Sequence, residues 1–156
     1  MASMKSRPIR RLIGLAMPLI VTGCVLAPTS QPVTAQSEDA RYARLAQRYD
    51  TDKQQGGMSA VIGDVIQCYQ AATYPAVAIM PLRDCLILDS EGAREDRVAS
   101  KAFGMTLPFY SHQAKVQRWG HYGPLAGFTD PRVLAQYISD GAYEVETYRH
   151  GVHSTG

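Results

Sequence analysis

MSAVIGDVIQCYQAATYPAVAIMPLRDC, residues 58–85, decides how this chain folds. Met58, Val61, Ile62, Val65, Ile66 and Tyr69 recur at the three- and four-residue spacing of a helix that buries one face. Thr73-Tyr74-Pro75 stops that helix, because proline cannot continue a helix interior. Pro81 suits the first position of a second helix, which runs to about Phe103. Cys68 lies near the end of the first helix and Cys85 one turn into the second. Bonded together, they would staple an αα-hairpin across residues 73–80. Residues 75–80 (PAVAIM) also suit a short buried strand, but no partner strand is evident.

Whether those two sulfurs pair depends on the third cysteine, Cys24, and so on the N-terminus. Lys5, Arg7, Arg10 and Arg11 precede the uncharged apolar run 12–27 (LIGLAMPLIVTGCVLA). That run is interrupted by Pro18 and Gly23, and falls short of the roughly 20 apolar residues a membrane span needs. A basic start, a short apolar run and small residues after it are the marks of a secretory signal. Val21-Thr22-Gly23-Cys24 resembles the lipobox of bacterial lipoprotein precursors, with Val21 where leucine is commonest. The resemblance covers residues 1–24 only. It implies cleavage before Cys24, acylation of that cysteine, and residues 24–36 as a disordered Pro/Thr/Ser/Gln-rich tether. With Val25 after the acylated position, it also implies an outer-membrane lipoprotein facing the periplasm. Val33-Thr34-Ala35 is a rival cleavage site, and would release a soluble periplasmic or secreted protein.

Either cut removes or modifies Cys24 and leaves Cys68 and Cys85 as a pair in an oxidising compartment. Closing a loop of this length stabilises a fold by about 3 kcal/mol on the chain-entropy account. Charge changes with export as well. Setting those four cations aside from the 16 basic residues leaves 12 against 14 acids, so no basic face argues for nucleic acid.

Outside the hairpin, residues 37–49 suit a short amphipathic helix capped by Ser37, and Asp50 to Gly57 (DTDKQQGG) a polar breaker. A short helix is expected from His112 to Trp119, followed by a glycine-rich loop over 120–127 (GHYGPLAG). Asp130-Pro131 opens a last helix through about Tyr148, and residues 149–156 suit a frayed tail. The expectation is an all-α bundle or orthogonal array of four to five helices. It forms one domain over 37–149, with a flexible end at 150–156.

Standard catalytic signatures are missing: no phosphate loop, no G-x-S-x-G elbow and no H-E-x-x-H helix. Two thiolates without a suitably spaced histidine make no zinc site, and no cofactor is expected. Asp89 and Asp96 fall on the inward stripe of the second helix, about 10.5 Å apart along its axis by helix rise. Buried acids need partners or a purpose. They suit either structural pairing with arginines from other helices or a hydrolase of the cell envelope. A break at Gly92 would instead expose both.

Phe109, Tyr110, Trp119, Tyr122 and Phe128 crowd a loop-rich stretch, beside His112 and His121. They suit either a core beneath the loops or a contact surface made of Phe109, Tyr110, Trp119, His121 and Tyr122. His150 and His153 share a tail turn. The function expected is a non-catalytic envelope protein that binds another protein or a cell-wall component through residues 104–128, with the hydrolase as the alternative. An acid-protective role draws little support from the near-neutral charge.

Overall fold

The computed structural model describes residues 35–151. Every regular element among them is helical: α1 (Ala35–Thr73), α2 (Ile79–Phe103), a 3-10 turn (Pro108–Tyr110), α3 (His112–Leu125) and α4 (Pro131–Arg149). This is the all-α architecture that the apolar spacing predicts. The signal, the lipobox with Cys24, most of the tether and residues 152–156 (His153 among them) lie outside the described residues. Ala35 and Gln36, assigned above to the tether, open α1 instead. Ser37 is accordingly inside the helix and not its cap.

The polar stretch 50–57 does not break the helix where expected. Residues 50–55 are helical, and only Gly56 and Gly57 leave helical geometry. Lys53, Gln54 and Gln55 are good helix formers, and they carry the helix on until glycine allows a turn. At Gly57 φ is +63°, a region that a residue with a Cβ enters at a steric cost. The reversal there is sharp. Arg48 donates to Asp64 at 2.7 Å, although 16 residues of straight helix would hold them about 24 Å apart. Tyr49 and Met58 also meet across the bend. α1 is therefore two antiparallel arms, residues 35–55 and 58–73.

The second arm and α2 form the stapled hairpin, with Cys68 and Cys85 bonded and their Cα atoms 5.6 Å apart. α2 begins at Ile79, so Pro81 is its third residue, still within the first turn where its missing N–H breaks no helical bond. Residues 75–80 are the turn and the helix start, and form no strand.

α2 is the central helix, packed against α1, α3 and α4. Leu82, Cys85, Leu86, Ile87, Leu88 and Asp89 are all buried, too many adjacent residues for a single apolar stripe. Beyond Asp96 the helix runs out of the core, leaving Val98 and Phe103 exposed. It does not break at Gly92. A Cβ there would lie 2.1 Å from the Tyr110 hydroxyl, so glycine lets the 3-10 turn pack directly on the α2 backbone.

α3 continues past Trp119 to Leu125 and absorbs most of the expected 120–127 loop, with Pro124 in its final turn. Ser111 caps its start by accepting from Ala114 N–H. α4 opens as expected, Asp130 accepting from Arg132 N–H with Pro131 in the first turn. Arg149 is not part of a frayed tail. It is the last residue of α4, and its side chain is largely buried.

Candidate functional site

Asp89 sits at the middle of α2, fully buried. Arg118 grips both of its oxygens, with Nε 3.0 Å from Oδ2 and a terminal nitrogen 2.7 Å from Oδ1. The Tyr69 hydroxyl donates to Oδ2 at 3.0 Å and Trp119 Nε1 at 2.9 Å. Arg118 also donates to the Phe109 carbonyl and lies over the Phe109 ring, 3.6 Å from its centroid. One carboxylate thus joins α1, α2 and α3, and its accepting capacity is filled from within. Burial, and then the facing Asp89 charge, push the Tyr69 phenol well above the ordinary tyrosine range.

Asp96, two turns further on, is also buried. It accepts from the Leu107 backbone N–H at 3.0 Å and so ties down the segment after α2. Asp89 has the arginine partner that structural pairing calls for, whereas Asp96 has a backbone amide. Both aspartates are buried and bonded to groups of the protein itself.

A second polar cluster, not anticipated from the sequence, surrounds Glu91. Its side chain is completely buried, bound by two nitrogens of Arg94 at 2.8 and 3.0 Å and by Arg149. Arg149 also donates to Asp50 at 2.7 Å and lies 4.3 Å from the Tyr49 ring centroid. Tyr49 donates to Glu95, which Lys53 also pairs. Arg94 reaches Glu146 at 2.7 Å. The cluster ties α1, α2 and α4 together. Glu91 is two residues from Asp89 and lies off the stripe counted from Leu82. Only the presence of helices on several sides of α2 buries both.

The expected aromatic surface is divided. Tyr110 is core, its hydroxyl buried without a hydrogen-bond partner among the described residues. Burial first, and Asp89 next, push its phenol above the ordinary range. Tyr122 stacks flat on Tyr69 at 4.0 Å, and Phe109 packs beneath Arg118. His121 is exposed at the surface, edge-on to Tyr122. His112 is exposed too, and His150 follows α4 at its C-terminal cap.

Trp119 is the expected surface residue that reaches an opening. Between α3 and α4 lies a cleft of about 310 Å³, bounded by Val116, Trp119, Pro124, Phe128, Leu134 and Ile138. Its walls are almost wholly apolar. Thr129 and Gly120 also border it. The volume is at the lower end of the range for ligand pockets, large enough for one ring or a short aliphatic chain. No family model, curated protein or solved structure matches this chain.

Of the cleft's lining, Trp119 and Phe128 stood in the aromatic run, but Leu134, Ala135 and Ile138 come from α4. A signal for that pairing was present in Val133, Leu134, Tyr137 and Ile138, whose stripe is wider than one neighbouring helix covers. Among the described residues, no group of three His, Cys, Asp or Glu side chains is placed to hold a metal. No described helix is long and apolar enough to cross a membrane.

Proposed function

We propose that this chain is an exported, non-catalytic accessory protein of the cell envelope, held at a membrane through acylated Cys24. On this reading it receives an apolar side chain of an envelope partner in the α3–α4 cleft. The observation that carries the binding role is the contrast between two regions. Asp89 is held by four internal hydrogen bonds and Asp96 by a backbone N–H, while the cleft presents apolar walls beside an anchored tryptophan. Trp119 is held in place by its bond to Asp89, so its ring is a preorganised wall, and ordering it adds little to the cost of binding. Export is supported by the Cys68–Cys85 bond, which persists in oxidising compartments.

A photo-crosslinking side chain at Val116, on the lip of the cleft, tests the binding role in the native envelope. One adduct of defined mass is expected, and Ala135→Trp, which fills the cleft, lowers its yield by about tenfold, equivalent to ~1.4 kcal/mol of binding. An adduct whose yield ignores Ala135→Trp rejects the cleft as the contact. Metabolic labelling with a palmitate analogue tests the anchor separately. Absence of label from the wild-type chain removes it, and label that survives Cys24→Ala places the lipid elsewhere.

A further inference from the structure

The turn of the stapled hairpin is an exposed apolar point. From Tyr74 to Leu82 the chain reads YPAVAIMPL, with no charge and one hydroxyl. Tyr74 is 82% exposed, Val77 44%, Ile79 50% and Met80 51%. Single exposed apolar residues are ordinary, but this many in one short turn form a patch that calls for an occupant.

The position of this turn in the fold identifies the occupant. The arms of α1 run antiparallel about Gly56–Gly57, with Arg48 against Asp64 and Tyr49 against Met58. Extending that register carries the start of α1, residue 35, to the level of the 74–78 turn. The contact between Arg41, six residues into the described chain, and Asp84, at the start of α2, places both at that same end. The chain therefore enters the domain beside its own apolar turn. If residue 24 is anchored in a membrane, the ten residues 25–34 reach at most about 35 Å, which keeps this end of the domain within reach of the lipid.

We propose that the 74–81 turn is a membrane-contacting tip, inserted shallowly into the lipid surface from which the chain is tethered. The inference rests on the anchored reading of Cys24. Side-chain chemistry favours lipid over a protein partner. A convex point of eight residues is small beside the roughly 800 Å² that each partner contributes to a standard protein interface. A lipid surface needs no matching concavity, and tyrosine beside aliphatic residues is the composition of a membrane interface.

Part of the turn's backbone is satisfied internally, since Pro75 and Pro81 have no N–H and the Ala78 N–H is bonded to the Ala72 carbonyl at 2.8 Å. Charged groups nearby are engaged elsewhere. Arg41 pairs Asp84, and Arg83 donates to the Ala126 carbonyl and lies over the Phe128 ring. Glu38 and Asp39 are exposed on the first turns of α1, and zwitterionic lipid is therefore the surface used in the test.

The test uses the full chain, processed in cells and reconstituted in phosphatidylcholine vesicles whose acyl chains carry bromine, a contact quencher. Tyr74→Trp adds one reporter at the tip, and Trp119, bonded to Asp89 about 15 Å along α2 from Ile79 by helix rise, serves as the internal reference. About twofold quenching of the tip emission is expected, with none at Trp119, as suits side chains seated within ~10 Å of the acyl boundary. Ile79→Asp with Met80→Asp, both at exposed positions, should abolish that quenching while leaving the helical circular dichroism intact. A lipidated, vesicle-bound chain with an unquenched tip overturns the proposal and leaves the anchored reading standing. So does a tip that cross-links to an envelope protein while insensitive to bromine. If mass analysis finds Cys24 unmodified, the anchored reading fails, and the soluble Tyr74→Trp chain is added to the same vesicles. Quenching of its tip reporter then upholds the tip, and the absence of quenching overturns it.

Discussion

A single side chain, Asp89, holds three helices through four donated bonds from Tyr69, Arg118 and Trp119. Asparagine in its place keeps the shape but presents one acceptor and a misplaced donor, and leaves the Arg118 charge without its counter-ion. Asp89→Asn should therefore lower unfolding stability by about 3–5 kcal/mol, the range for breaking a buried pair on one side. Asp96→Asn should lose much less, because an amide oxygen still accepts from the Leu107 N–H. Urea unfolding of both variants measures the difference. Equal losses would contradict the roles assigned to the two acids. That both aspartates face inward was legible from helical spacing. The identity of their partners was not, since Arg118 lies 29 residues from Asp89 and local periodicity carries no record of such a distance.

Among elements, the hairpin and the bend of α1 carry distinct loads. Breaking the 68–85 bond, by reduction or by Cys68→Ser with Cys85→Ser, should remove about 3 kcal/mol and shift the urea midpoint without changing the helical circular dichroism of the folded state. At the bend, Asp52 and Asp64 come together across the two arms beside Arg48. Burial first, and then Asp64, raise the Asp52 carboxyl above its ordinary value, while Arg48 opposes them. A carboxyl raised on folding contributes stability that is complete below the unfolded-state value and is lost as pH rises through the folded-state one. Asp52→Asn should accordingly stabilise the protein at neutral pH. The gain is expected to be under about 1 kcal/mol, because solvent screens the pair, and it should shrink as the pH falls. A variant less stable at neutral pH, or a gain that grows in acid, would contradict this reading of the bend.

For the whole molecule, the last helical residue is joined to the first helix. Arg149 binds Glu91 on α2 and Asp50 on α1, 99 residues away in sequence. Arg149→Ala should lower stability by about 2 kcal/mol, since hydrogen bonds to charged groups are worth ~1.5–3 and Arg94 still holds Glu91. Ending the chain after Tyr148 should do the same, whereas ending it after Arg149 should change little. Thermal melting of the three forms distinguishes a tie from a tail.

Helix class, the stapled hairpin and the N-cap at Asp130 were determined by the sequence alone. Each follows from spacing or capping within one or two turns of the chain, where steric and hydrogen-bonding rules act locally. Tertiary structure decided the fold-back at Gly56–Gly57, the burial of Glu91 by several helices at once, the ion pairs of Arg118 and Arg149, and the α3–α4 cleft. Those depend on which helix faces meet, and a buried charge or an open groove arises only when surfaces from distant parts of the chain are brought together.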